Sequence, residues 1–186
     1  MVEVVVFHHV QGLTPGVRAF ADELRQAGHT VHTPDLFDGR TFTTIDEGMA
    51  HARSVGFDTL LDRGVAAVED LPADLVYAGF SLGVMPAQFL AQTRPGTRGG
   101  VFVYSFVPPH EFGSEWPAGV PLQIHLMEHD AEVLPPNGDL EAARAMEGAE
   151  LFLYPGERHL FADSSLPDYD EAAATLLSRR VLEFLG

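Results

Sequence analysis

Short apolar runs alternate along this chain with longer stretches in which apolar residues recur every three or four positions. Residues 2–8 form a β-rich apolar run and predict a first strand. Thr14-Pro15 then opens a helix, with threonine as cap, proline at the first helical position and Gly28 just past the end. Val17, Phe20, Ala21, Leu24 and Ala27 fall on one face of that helix. Residues 29–34 read as a second strand, and 45–71 as mostly helical, with Leu60, Leu61, Val65 and Val68 apolar. Further strands are predicted at 75–80, 101–107, 122–127 and 151–154. Between and after them lie helices from Val84, at about 139–146, and a closing amphipathic one marked by Ala173, Leu176, Leu177, Val181 and Phe184.

Strands this apolar, joined through helices, indicate an α/β fold with a mostly parallel sheet covered on both faces. In such sheets, sites form beyond the carboxyl ends of the strands. No repeat, low-complexity tract or dividing linker interrupts the 186 residues, so a single domain over 1–186 is expected.

Charge narrows the partners. Lys+Arg total 11 against 27 Asp+Glu, a formal charge of −16. Nucleic acid and anionic membrane both require a basic face, so neither is expected. With no cysteine, disulfides, thiolate metal sites and a cysteine nucleophile are excluded. No apolar stretch approaches the ~20 residues of a bilayer span. Glu3 stands where a signal peptide would carry a cation, so the start reads as the first strand of a cytoplasmic protein. A homodimer is compatible with the sequence.

Candidate chemistry begins at Gly79-Phe80-Ser81-Leu82-Gly83, between the strand at 75–80 and the helix from Val84. A serine flanked by glycines where a strand turns into a helix is the nucleophile-elbow pattern. The turn is tight enough that side chains at 79 and 83 would collide. The helix beginning there points free N–H groups and partial positive charge toward a developing oxyanion. Pro86, in the first turns of that helix, fits poorly and calls for a short irregular turn.

A serine hydroxyl needs a base, and the base needs a group to fix its tautomer. Behind such an elbow the chain order is Ser, then Asp or Glu, then His. Asp130 follows the strand at 122–127, and His159 follows the strand at 151–154. Glu128 competes with Asp130 for the acidic role. The loop after the first strand, His8-His9-Val10-Gln11-Gly12, is expected to donate the Val10 N–H to the oxyanion beside that of Leu82. His9 and Gln11 could line the substrate pocket; packing or capping is the alternative for His9.

With these residues in place, the chain resembles the dienelactone hydrolase family of α/β-hydrolases. The resemblance runs through the His8-His9 loop, Thr33-Pro34-Asp35-Leu36-Phe37-Asp38-Gly39, the elbow, Glu128-His129-Asp130, and Tyr154-Pro155-Gly156-Glu157-Arg158-His159-Leu160-Phe161. It implies an α/β-hydrolase fold without a large cap domain, a Ser81–Asp130–His159 triad and no cofactor. Three departures shape the expected substrate. The best-known members carry cysteine where Ser81 stands, a glutamate where His9 stands, and a substrate-clamping arginine where Asp163 stands. Without that arginine, a neutral ester or lactone suits the site better than an anionic dienelactone. Arg40 and Arg53 are surface charges that could supply another clamp.

Residues 108–121 form a long irregular segment after a central strand, and Phe112 and Trp116 there could wall a pocket or pack on the body of the fold. The pairs His8-His9, His29/His32 and His125/His129 lack the spacing and acidic partner of a zinc motif, so no metal is expected.

Overall fold

The computed structural model describes residues 1–186. Its centre is a six-stranded sheet, β1 (Glu3–Phe7), β2 (Thr30–His32), β3 (Leu75–Phe80), β4 (Gly99–Val103), β5 (Leu122–Met127) and β6 (Ala149–Tyr154). Every ladder is parallel, in the order β2-β1-β3-β4-β5-β6. All six strands therefore end on one side. The direction of winding reverses between β1 and β3, and the crevice beyond that point is where open parallel sheets bind ligands.

Alternate strand residues serve two cores, as the period of two requires. Val4, Val6, Val76, Ala78, Val101 and Val103 face α1 (Pro15–Gln26) and α6 (Glu171–Leu185). Val5, Phe7, Leu75, Tyr77, Phe102 and Ile124 face the other layer. That layer contains α2 (Ile45–Val55), α3 (Phe57–Ala66), α4 (Val84–Thr93) and α5 (Asp139–Ala145). Near-complete apolarity of the strands follows from this double cover. No helix is long and apolar enough to cross a membrane.

Thr14 caps α1, its hydroxyl accepting from the Val17 N–H at 3.3 Å, with Pro15 at the first helical position, as the sequence indicated. The stretch 45–71 is two helices rather than one. Gly56, at φ 94°, closes α2 and opens α3. The fourth strand begins two residues earlier than expected and ends at Val103, because Tyr104, whose N–H still reaches the His125 carbonyl at 2.9 Å, turns to φ 73° and takes the chain beyond it out of the sheet. Pro86 is accommodated by a 3₁₀ turn, Ser81–Gly83, that precedes α4 and leaves the proline in its first turn.

Candidate active site

Ser81 stands at the end of β3 with φ 48°, a left-handed conformation uncommon for a residue bearing a side chain. The glycines at the corner are explained by close approach. A Cβ on Gly79 would run into the Gly83 carbonyl, and one on Gly83 into the carbonyls of Phe7 and His8. This packing presses the elbow against the end of β1, its neighbour in the sheet.

The Ser81 hydroxyl lies 2.8 Å from His159 Nε2, and His159 Nδ1 lies 2.6 Å from Asp130 Oδ2. The network assigns the tautomer: Nδ1–H donates to the carboxylate, leaving Nε2 to accept from the hydroxyl. Asp130 Oδ1 accepts from the Glu132 N–H at 2.9 Å, so both carboxylate oxygens are held. Asp130 is buried and bonded to the ring, whereas Glu128 is exposed. His159 is 9% exposed, open on one side and backed by the Tyr104 ring at 5.5 Å. The Tyr104 hydroxyl accepts from the Ala162 N–H at 2.8 Å and so pins the loop that carries His159.

The loop after β1 bends back beside the elbow. Its Gln11 N–H donates to His9 Nδ1 at 3.2 Å and its Gly12 N–H to the His9 carbonyl at 3.0 Å. The Val10 N–H just before them meets no acceptor within the protein. An unspent donor here, next to the elbow, is the disposition an oxyanion hole needs. Leu82 is the second residue of the 3₁₀ turn that starts at Ser81.

The four residues expected to line the pocket lie elsewhere in role. His9 is fully buried, its Nε2–H donating to Asp163 Oδ2 at 2.7 Å. Gln11 is buried as well, its side-chain amide donating to the Phe42 carbonyl at 3.1 Å. Both therefore have their polar atoms committed inside the protein. Trp116 packs edge-on to Phe102 at 5.8 Å and over Gly100, while its ring N–H donates to the Val120 carbonyl at 2.8 Å. Gly100 is level with Tyr77, four residues short of Ser81, or about 13 Å down the sheet. A bare glycine in a strand leaves a hollow that a large ring fills, and this hollow is at the wrong end. Phe112 rests on Phe89, two turns along α4 from the serine. Arg40 and Arg53 are exposed.

A depression opens on the outer side of the His159–Asp130 pair, lined by Ile45, Asp130, Glu157, Arg158, His159 and Asp168. Carboxylates predominate on its rim, and Arg158 is turned to the Tyr169 carbonyl at 2.9 Å.

Two buried titratable groups frame the loop after β1. Burial pulls the His8 ring down to about 4, against the opposing effect of its bond to the His9 carbonyl. The ring is thus neutral, Nδ1–H donating to that carbonyl at 2.7 Å and Nε2 accepting from the Leu36 N–H at 3.0 Å. Burial by itself would raise Asp163, but hydrogen bonds from His9, Ser165 and Thr14 outweigh it and bring the carboxyl down to about 2.

A profile of the dienelactone hydrolase family matches residues 1–186. The chain belongs to the dienelactone hydrolase family. Its fold superposes on a dienelactone hydrolase candidate from Klebsiella pneumoniae subsp. pneumoniae with TM-score 0.74 and 19% identity, covering 97% of this chain and 85% of that one. A dienelactone hydrolase-like promiscuous phosphotriesterase from metagenomic libraries matches with TM-score 0.72 and 16% identity, over 99% and 85% of the two chains. A protein of the α/β-hydrolase superfamily from Xanthomonas campestris pv. campestris matches with TM-score 0.64 and 26% identity, over 100% and 98%. No curated protein matches the chain. Family and fold are those of hydrolases, and the α/β architecture expected from the apolar pattern is the one observed.

Proposed function

We propose that this dienelactone hydrolase family member is a serine hydrolase that cleaves a small neutral ester or lactone through an acyl-enzyme. The reading rests on one observation: an unbroken hydrogen-bond chain from Ser81 Oγ through the His159 ring to Asp130 Oδ2, with steps of 2.8 and 2.6 Å. Ser81 Oγ attacks the carbonyl carbon while its proton passes to His159 Nε2. Asp130, held by the Glu132 N–H, stabilises the imidazolium that results and keeps its orientation. The carbonyl oxygen takes up the negative charge against the N–H groups of Val10 and Leu82. Collapse expels the alcohol, which leaves with the proton from His159. Water then attacks the acyl-enzyme, giving its proton to His159; collapse breaks the bond to Ser81 Oγ, which takes that proton back from His159 as the acid is released.

A neutral substrate follows from charge. By the family resemblance Asp163 stands where a carboxylate-clamping arginine would, the depression beside the triad is rimmed with acids, and the chain carries −16. An anionic ester would meet repulsion and find no bidentate partner.

A fluorophosphonate probe and a p-nitrophenyl ester test the reading. Wild-type protein is expected to take one label on Ser81 and to hydrolyse the ester. Ser81→Ala is expected to take none and to lose at least about 10⁴-fold in kcat, while Tm changes little. Absence of labelling in the wild type, or turnover by Ser81→Ala near the wild-type rate, would overturn it.

A further inference from the structure

His9, in the loop after β1, and Asp163, four residues past His159, bond each other. His9 Nε2 and Asp163 Oδ2 are 2.7 Å apart across 154 residues of chain. His9 is fully buried and Asp163 is 2% exposed. Neither touches the triad through a hydrogen bond, so the hydrolytic cycle proposed above leaves them without a task.

The rest of the network indicates one. His9 Nδ1 accepts the Gln11 N–H at 3.2 Å, and the His9 carbonyl takes both the Gly12 N–H at 3.0 Å and the His8 ring at 2.7 Å. Since Nδ1 accepts, the ring is the neutral tautomer that carries its proton on Nε2, the atom facing the carboxylate. The imidazole therefore consumes the N–H after Val10 and its own carbonyl consumes the next, so that of the three successive donors at 10, 11 and 12 only that of Val10 stays free. At its other end the ring is fixed by Asp163, whose carboxylate is itself held by the Thr14 hydroxyl, the Ser165 hydroxyl at 2.6 Å and the Ser165 N–H at 2.9 Å. Thr14 is the cap of α1, and Asp163 lies four residues past His159. Gly48 of α2 closes the loop from outside, since a Cβ there would run into the Val10 carbonyl. The segment carrying the proposed oxyanion donor and the segment carrying the base are thus joined through the buried His9 imidazole, with the Thr14 hydroxyl bonded to the same carboxylate.

We infer that the Asp163–His9 pair is a positioning element for the oxyanion hole, holding the peptide plane at Val10 so that its N–H faces the oxygen of the tetrahedral intermediate. His9 and Asp163 are positioning residues, not catalytic ones, and the inference rests on the serine-hydrolase reading. It deepens that reading by assigning work to a second His–Asp pair that the triad does not use.

The test compares wild type with His9→Ala, His9→Gln and Asp163→Asn, each normalised to sites titrated by fluorophosphonate. The readouts are kcat, KM and the inhibition constant of a trifluoromethyl ketone, whose adduct with Ser81 puts an oxyanion in the hole. His9→Ala is expected to lose about 10²-fold in kcat, the scale of one oxyanion donor, with KM little changed and the ketone weakened in parallel. His9→Gln can still present an amide N–H to Asp163, and is expected to recover part of both. Asp163→Asn retains an acceptor for the ring and is expected to fall between wild type and His9→Ala. A purely structural role would lower Tm and the titrated fraction but leave kcat per site and the ketone constant of the remaining sites at wild-type values. That result, in His9→Ala or in Asp163→Asn should His9→Ala fail to fold, overturns the inference and leaves the hydrolase reading standing. A wild type that takes no label overturns both.

Discussion

The molecule contains two histidines of similar bonding whose proposed uses are opposite. His159 and His9 each give a ring N–H to a buried carboxylate, at 2.6 Å from Asp130 and 2.7 Å from Asp163. What differs is the other nitrogen. In His159 it is Nε2, 9% of the residue is exposed, and it faces a hydroxyl on a strained corner. In His9 it is Nδ1, the residue is sealed, and it faces the backbone N–H of Gln11. A nitrogen opposite a hydroxyl can take a proton and return it, whereas one opposite an amide can only hold the amide still. A His–Asp pair is therefore not by itself a proton relay; the third partner decides its use.

The strongest way to break that contrast is to neutralise each carboxylate in turn. Asp130→Asn is expected to lower kcat by about 10³- to 10⁴-fold, because the amide can donate to Nδ1 and favours the tautomer that cannot accept from Ser81. Asp163→Asn is expected to cost far less. Steady-state ester hydrolysis per titrated site measures both, and equal losses would erase the distinction drawn here.

The ease with which the two pairs could be read differed for a physical reason. Ser81, Asp130 and His159 each follow a strand whose apolar pattern was plain, and β3 and β5 fall at the residues the pattern indicated. A parallel sheet brings its strand ends together, so three well-placed loops imply a site before any coordinate is known. Asp163 sits in a loop with no such anchor, and nothing local pairs it with a ring 154 positions away. His9 was accordingly read toward the pocket, with packing as the alternative, and packing prevails. Trp116 was equally undetermined, since the hollow it fills is made by Gly100 and the large face of Phe102, on a strand before it. The break at Gly56 was visible as a glycine, but helical spacing on both sides masked it.

Acid sharpens the comparison from the side of the sealed rings. His8 and His125 are fully buried. Burial lowers them to about 4 and about 3 from an ordinary 6.5, with Arg180 adding to the effect at His125. Unfolding lets both rings bind protons at the ordinary value, so between there and the folded value the unfolded chain holds more protons. Stability is then complete above 6.5 and falls as pH drops through the window, by about 2 kcal/mol per ring at pH 5. Asp163 adds to the loss only lower, between 3.8 and about 2. Urea unfolding at pH 7.5, 6 and 5 is expected to show this decline, and His125→Gln a shallower one. The His125 ring bonds the Tyr154 hydroxyl at 2.8 Å and the Gln123 side chain at 3.2 Å and none of the three triad residues, so its substitution should flatten the stability profile without changing kcat per titrated site.

The smallest expected effect on catalysis concerns the segment at 108–121, where aromatic rings near a sheet invite a pocket reading. Gln92 holds this segment from α4, its amide donating to the carbonyls of Pro109 at 3.0 Å and Ser114 at 2.8 Å. Gln88 performs the same service for Val107, donating to its carbonyl at 2.6 Å and accepting from its N–H at 3.2 Å. The segment is thus a strap over α4 and the lower half of β4, and Trp116 is its plug. Removing the indole opens a void against Phe102 and Gly100 and frees the Val120 carbonyl, so Trp116→Ala is expected to lower stability by about 2 kcal/mol. Because that void opens about 13 Å from the hydroxyl, kcat/KM per titrated site is expected to stay within about twofold of wild type, a difference too small to represent a lost transition-state contact. A larger fall in kcat/KM, with the titrated fraction intact, would mean that the strap reaches the substrate after all and that the sealed side of the molecule is coupled to the open one.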